Sequence, residues 1–148
     1  MSLRAFRCGC NVIAYEKDNR KYGMVCAWAT MVDYDHIGML IGSQSVTGRN
    51  LKIGDIVGVS ALAEGQTDIS LKLGETHSDE CDKFEGIETI NMNGSIVIKD
   101  AKVEMLCEVR KVEKLTGSDD VFVVMQVLSS RHNKRKEFLS LEKVYPED

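Results

Sequence analysis

The feature that most constrains the fold is the distribution of apolar residues along the chain. They occur in short runs rich in β-branched or small residues, and turn-forming residues separate one run from the next. Such runs are typical of β-strands, whereas a helix needs a longer segment with helical periodicity. The sequence therefore predicts six main strands: Cys8–Tyr15, Lys21–Ala29, His36–Ser43, Ile56–Leu62, Lys102–Val112 and Val121–Leu128.

The run Lys102–Val112 shows the strand pattern most clearly. Its odd-numbered positions from Val103 to Val109 are apolar, and charged side chains occupy most of the positions between them. Because successive side chains of a strand point to opposite faces, this alternation indicates a half-buried strand. Asp18-Asn19-Arg20 predicts a hairpin turn, and Thr116-Gly117-Ser118-Asp119 predicts a second one between the two longest strands.

Two short helices are predicted between the strands. Thr47–Lys52 follows a capping Ser45 or begins with a capping Thr47, and Thr67–Leu73 begins with a capping Thr67. Six or more short strands with two brief helices are typical of a closed or nearly closed antiparallel barrel. The expected fold class is all-β with short helices, an antiparallel Greek-key barrel of about six strands.

Composition indicates an ordinary globular chain. The 148 residues include one proline, which lies near the end, so a single domain over residues 1–148 is expected. No apolar stretch reaches the ~20 residues of a membrane-spanning helix, and no signal region follows Met1. The five cysteines contain no C-x-x-C pair, which favours reduced thiols. We therefore expect a cytoplasmic protein that is not bound to a membrane.

Charge and motifs exclude several functional classes. The net charge is −4 and the basic residues are spread along the chain, which argues against nucleic acid as a partner. The one dense basic run, Arg131–Lys136, is interpreted as a solvated turn. Dinucleotide-binding, P-loop, G-x-S-x-G and H-E-x-x-H motifs are absent. Because His36, His77 and His132 are widely spaced, no metal site is predicted.

The segment Tyr22–Leu51 carries the most informative motif. It resembles the flavin-reductase-like, FMN-binding split-barrel family. Members carry a strand similar to N-G-M-T-x-S-W, a V-S-x-D-P-P turn, and an apolar strand that ends in a loop with serines and a threonine. The matching positions of this chain are Gly23, Met24, Trp28, Val32, Asp35, Ser45 and Thr47.

The resemblance continues through most of the chain. Ile56–Leu62 is similar to the family's F-A-V-N-V-L strand, and Cys81-Asp82-Lys83-Phe84 is similar to its D-x-D-K-F segment. Ala101–Val109 resembles A-x-A-x-L-E-C-x-V with Cys107 in register, and Phe138–Tyr145 resembles the closing P-L-x-Y-x-x-x-x-Y. This ordered set implies a split barrel, FMN as cofactor, and flavin-dependent oxidoreductase activity or electron transfer. It also implies a homodimer with a flavin site at each subunit junction.

The chemistry of two segments agrees with a flavin site. Ser43-Gln44-Ser45-Val46-Thr47 offers three hydroxyls and an amide before a helix start, where free N–H groups favour a phosphate, and Arg49 adds a positive charge. The small residues of Cys26-Ala27-Trp28-Ala29-Thr30 let a flat ring approach the backbone. The resemblance implies that backbone amides of this strand bond the ring's N5 and carbonyl edge. It also adds Asp82, Lys83 and Phe84 to the candidate cofactor-binding residues.

Simpler interpretations of the same residues remain open. Ser45 and Thr47 would only cap a helix, Trp28 would be an ordinary buried core residue, and Cys26 would be an inert buried thiol rather than a redox group.

Three differences from the family pattern bear on the function. Val25 and Ala27 replace a threonine and a serine that carry hydroxyls, and His36-Ile37 replaces the two prolines. Ser118-Asp119-Asp120 stands where flavin reductases of this type often carry G-D-H, whose histidine is associated with the reductant site. An acidic residue there repels a nucleotide phosphate, which favours a redox protein partner over NAD(P)H as the electron donor.

The alternative function is a non-catalytic module on the same barrel that has lost flavin and binds another small ligand or a partner.

Overall fold

The computed structural model describes residues 5–42, 46–75, 83–115, 117 and 119–146. These residues form nine strands and three helices. The strands are β1 (Asn11–Lys17), β2 (Arg20–Cys26), β3 (Ala29–Met31), β4 (His36–Ile41), β5 (Ile56–Ala61), β6 (Thr89–Met92), β7 (Ser95–Ile98), β8 (Val103–Lys114) and β9 (Val121–His132). The helices are α1 (Val46–Arg49), α2 (Thr67–Glu75) and α3 (Leu141–Val144).

The nine described strands form one antiparallel sheet. Their order is β3-β4-β9-β8-β5-β1-β7-β6, and β2, which lies off this path, pairs with β1 along its whole length. The β8–β9 hairpin lies between β4 and β5, which are consecutive in the chain, so the connection crosses over as in Greek-key sheets. β2 approaches β4 without pairing with it, and the barrel is split between these two strands. The predicted fold class, an antiparallel split barrel with short helices, is confirmed.

Tight turns set the register of the hairpins. Asp18 and Asn19 have φ angles of 53° and 62°, the left-handed geometry of a two-residue hairpin turn, which confirms the turn predicted there. Asn93 and Gly94, with φ angles of 53° and 88°, form a similar turn between β6 and β7. The turn between β8 and β9 contains Gly117 with a φ of 79°, while Thr116 and Ser118 lie outside the described residues.

The sheet separates two apolar clusters. The barrel interior receives alternate residues of the strands, such as Ile13 and Tyr15 of β1. The intervening residues Val12 and Ala14 belong to a second cluster on the outer face, which α2, α3 and Phe84 cover. β1 is therefore buried on both faces, which explains its nearly continuous apolar sequence.

The six predicted strands are all present, but several of their ends differ. The strand predicted over Lys21–Ala29 ends at Cys26 because Ala29 N donates to Ala27 O, 3.1 Å away, in a tight turn. β9 extends to His132 because its last residues pair with the beginning of β8. β1 begins at Asn11 rather than at the predicted Cys8.

Shorter elements account for the other differences. β3, β6 and β7 were not predicted, since each has only three or four residues. The helix predicted over Thr47–Lys52 is the four-residue α1, because Leu51 turns back into the barrel core with its N–H donating to Gly48 O at 3.3 Å. α2 runs two residues beyond its predicted end. Within the described segments, no helix has the length and hydrophobicity needed to cross a membrane.

β7 packs closely on the outer face of β5 at two small residues. A Cβ placed on Gly58 would lie 2.0 Å from Ile96 O, so only a glycine fits there. The hydroxyl of Ser60 accepts a hydrogen bond from Ile98 N at 2.8 Å. The alternation of large and small residues along β5 is therefore explained by the strand that covers it.

Candidate functional site

The chain passes from β2 to β3 beside the split between β2 and β4. Cys26, at the end of β2, is 5% exposed, and its Sγ lies 3.2 Å from Leu40 O and 3.4 Å from Trp28 O. Burial raises the pKa of this thiol to about 11. The thiol is therefore protonated at neutral pH, which favours the interpretation of Cys26 as an inert buried cysteine.

Trp28 follows immediately and turns outward. Its side chain is 64% exposed, so Trp28 is not a core residue. Ala27 is half-buried, and Ala29 and Thr30 are exposed. A large exposed indole flanked by small residues is a surface that a flat ligand or a partner can cover.

β3 offers an open edge beside this indole. In the described sheet β3 stands at the end of the strand order, with β4 as its paired neighbour. Leu40 N donates to Trp28 O and Val32 N donates to His36 O, so the even-numbered residues bond to β4. By the alternation of antiparallel strands, the backbone N–H and C=O of Met31 face the other side.

A cleft of about 480 Å³ adjoins Trp28. It lies between the beginning and the end of the chain, which come together where Leu141 N donates to Cys8 O at 2.9 Å. Residues that line it include Phe6, Arg7, Cys8, Trp28, Leu141 and Glu142. Sequence analysis identified Trp28 but not the other lining residues, since no local pattern marks them.

The predicted phosphate-binding residues are described in part. Ser43, Gln44 and Ser45 lie outside the described residues. Thr47 is 2% exposed, and its carbonyl accepts a hydrogen bond from the Tyr15 hydroxyl at 2.5 Å. Arg49, in the last turn of α1, is exposed. With only four residues, α1 has a weaker dipole than the sequence prediction assumed.

β4 brings α1 next to Trp28. A Cβ on Gly48 of α1 would lie 2.4 Å from Ile41 Cγ2, and the preceding residue Leu40 bonds to Trp28 O at 3.0 Å. Leu40 and Ile41 are consecutive residues of β4, and consecutive Cα atoms are about 3.8 Å apart. The contact of β4 with Trp28 therefore lies next to its contact with α1. Two of the predicted groups, the 26–30 segment and the α1 residues, are thus neighbours.

The third predicted group lies elsewhere on β2. Lys83 is 4% exposed, and its Nζ donates to Gly23 O at 2.7 Å. The ring of Phe84 covers the Cα of Gly23, where an added Cβ would lie 2.3 Å from Cζ. Phe84 belongs to the outer cluster and Cys26 to the barrel interior, so the sheet separates them. Asp82 lies outside the described residues.

The turn between β3 and β4 gathers polar side chains. Asp33, Asp35 and His36 offer one potential ligand atom each within 4.8 Å of one another. His36 Nδ1 lies 2.7 Å from Asp35 Oδ1, and this hydrogen bond, with a second from Gln126, lowers the pKa of the Asp35 carboxyl. Both carboxylates are exposed, and hydrogen bonding within the turn explains the arrangement.

Asp119, which matches the aspartate of the family's G-D-H motif, is paired with a lysine. Lys114 Nζ lies 3.2 Å from Asp119 Oδ1 across the β8–β9 turn. Asp120 stands where the family pattern has the histidine, so the expected repulsion of an anionic reductant rests on Asp120 and not on the paired Asp119. Ser118 lies outside the described residues.

Comparison with known proteins agrees with this fold. The model of the flavin reductase like domain family matches residues 3–144, and the chain therefore belongs to this family. A search of curated proteins finds no match.

Three solved structures illustrate the likeness. The NADH:FAD oxidoreductase SgcE6 of Streptomyces globisporus C-1027 is similar with a TM-score of 0.80 at 18% identity, over 90% of this chain and 80% of that one. Flavoredoxin from Methanosarcina acetivorans gives 0.76 at 13% identity, over 90% and 74%. The FMN-binding protein from Thermus thermophilus gives 0.78 at 17% identity, over 90% and 78%. At these identities the likeness establishes a shared fold.

Proposed function

We propose that this chain binds FMN and acts as a flavin-dependent oxidoreductase or electron-transfer flavoprotein. The observation that carries the proposal is the exposed indole of Trp28 beside the open edge of β3 and a cleft of about 480 Å³. The cleft combines apolar side chains with the polar side chains of Arg7, Ser140 and Glu142. Cofactor sites likewise combine apolar and aromatic surface with a few placed polar groups. Membership of the flavin reductase-like family supports flavin as that cofactor.

The described residues fit the parts of a flavin. Trp28 and Phe6 offer flat apolar surface to the ring, and the outer edge of β3 offers backbone donors and acceptors to its polar rim. Arg49, on the neighbouring α1, supplies a cation for the phosphate. A bound flavin supplies hydride or single-electron transfer, while the protein binds and orients it. Lys83 and Phe84 hold β2 from its outer face, and their contact with the cofactor stays a prediction.

FMN rather than FAD is a proposal from the family resemblance. The similar structures carry both kinds of name, since one is called an FMN-binding protein and another is an NADH:FAD oxidoreductase. We propose either a redox protein or NAD(P)H as the electron donor.

We also propose a homodimer in which the surface around β3 is covered. Large apolar side chains are exposed in succession there: Trp28, Met31, Val32 and Tyr34. Exposed apolar patches of this kind are typical of interaction surfaces. Light scattering should give twice the 16.5 kDa chain mass, and a stable monomer that still binds flavin would refute the dimer.

Flavin binding can be measured at the proposed site itself because Trp28 is the only tryptophan in the chain. We expect the purified protein to be yellow, with absorption bands that disappear on reduction by dithionite. Titration of flavin-free protein with FMN should quench the Trp28 fluorescence, since the ring lies against the indole. Mass spectrometry of the extracted cofactor distinguishes FMN from FAD.

The opposite result would identify the alternative function. A colourless protein whose Trp28 fluorescence does not change with FMN, FAD or riboflavin would be a non-catalytic module that binds another ligand. Flavin binding without quenching would place the flavin away from Trp28. Trp28→Phe is the matched variant, since it keeps an aromatic ring and should retain flavin colour while losing the fluorescence signal.

A further inference from the structure

The turn after β9 concentrates positive charge. Arg131, Lys134, Arg135 and Lys136 fall within six residues that contain no carboxylate, in a chain with a net charge of −4. The first three of these side chains are exposed. Charges at the surface act over about 8 Å at physiological ionic strength, so a partner at this turn meets the local charge rather than the net charge.

Four hydrogen bonds connect this turn to its surroundings or close it on itself. Asn133 N donates to Lys102 O at 2.8 Å, and Lys102 Nζ donates to Asn133 O at 3.0 Å. Lys136 Nζ donates to Asp100 O at 3.0 Å, and Arg135 N donates to Asn133 Oδ1 at 3.3 Å. The two lysines therefore lie close to the turn, and a turn that is already ordered loses less conformational entropy when a partner binds.

Nearby carboxylates compensate only part of the positive charge of this turn. Arg131 lies opposite Glu104 in the β8–β9 register, and Asp100 and Glu137 are exposed next to the turn. In the described part of the chain, Lys134 and Arg135 form no ion pair. Their charges are therefore available to a partner.

An exposed aromatic ring adjoins the cations. Phe138 is 56% exposed, and Lys102 Nζ lies 5.6 Å from the centre of its ring. From there the chain continues to Ser140, which bridges Gly9 and lines the cleft beside Trp28. Aromatic and arginine side chains are enriched in the contacts that contribute most to protein–protein binding.

We propose that this surface, formed by Lys102, Arg131, Lys134, Arg135, Lys136 and Phe138 and here called the basic turn surface, docks an acidic protein. The cations supply electrostatic attraction, which raises the association rate, and Phe138 supplies an apolar anchor. An extended polyanion fits less well, because the positive charge is confined to one turn and the rest of the chain is net negative. The proposal does not depend on a flavin in the cleft.

The test is binding of a fluorescent peptide of glutamate, aspartate and leucine to the full chain at low salt, measured by anisotropy. We expect Lys134→Gln with Arg135→Gln to weaken binding by about tenfold or more, since two charge-assisted contacts are lost. The matched control is Lys111→Gln with Lys114→Gln. It removes the same charge from two lysines that are paired with Glu113 and Asp119, and it should leave the affinity nearly unchanged.

Carbodiimide cross-linking locates the contact independently. Peptide carboxylates should link to Lys102, Lys134 or Lys136, as mapped by mass spectrometry, and rarely to Lys111 or Lys114. Equal weakening in both double variants, cross-links elsewhere, or no peptide binding would overturn the proposal. Single-stranded DNA or anionic vesicles could instead bind more tightly than the peptide and lose this binding in the Lys134→Gln, Arg135→Gln variant. That result would assign the surface to those ligands and overturn the proposal. None of these measurements uses flavin colour or activity, so their outcome is independent of the test of the flavin site.

Discussion

Replacing Gly58 with alanine should destabilise the protein by about 3 kcal/mol or more, a large part of the total stability of a small domain. A Cβ at this position would lie 2.0 Å from Ile96 O and 2.4 Å from Ile96 C, which are backbone atoms that cannot rotate away. Gly58 also pairs with Ala14 and Leu106, so β5 cannot move outward without breaking two strand ladders. Urea unfolding of the wild type and the variant measures the difference.

The matched control is Gly74→Ala in α2. The nearest atom to its added Cβ is Tyr145 Oη at 3.5 Å, an ordinary contact, and alanine favours a helix over glycine by up to about 1 kcal/mol. We therefore expect Gly74→Ala to leave stability unchanged or raise it slightly. Equal unfolding midpoints for the two variants would show that β7 is not held against β5 at Gly58.

Alternation of side chains predicted the strands that carry the barrel core. β8 keeps its apolar odd-numbered residues inside, as with Cys107 and Val109, and the structure confirms this pattern. β6 and β7 were missed because short strands carry little pattern and are stabilised by pairing with neighbours. Their Asn93-Gly94 turn was the one local signal present, since Asn-Gly strongly favours a hairpin.

The candidate site was predictable only where one segment carries it. The run Cys26–Thr30 was identified from its small residues and its resemblance to the family motif, but the exposure of Trp28 depends on the split between β2 and β4. The cleft was not predictable, because it joins Cys8 to Leu141 from opposite ends of the chain. Such contacts follow from the fold and leave no periodicity in the sequence.

Arg49→Gln should weaken FMN binding by about ten- to a hundredfold and leave riboflavin binding nearly unchanged. Arg49 is exposed on α1, which adjoins Trp28 through β4, and a guanidinium contributes about 1.5–3 kcal/mol in a hydrogen bond to a phosphate. Riboflavin lacks the phosphate and therefore measures the ring contacts alone. Quenching of Trp28 fluorescence gives both dissociation constants in the same protein.

Lys52→Gln separates a direct contact from the general effect of positive charge. Lys52 is exposed three residues after Arg49, and its removal changes the net charge by the same amount. If Arg49 holds the phosphate, only Arg49→Gln should remove the preference for FMN over riboflavin. An equal loss of the FMN preference in both variants would mean that the phosphate responds to the positive field around α1 rather than to a contact with Arg49. Charges can act on each other without contact over about a Debye length. An unchanged preference in both would move the phosphate away from α1, while quenching of Trp28 would still report where the ring binds.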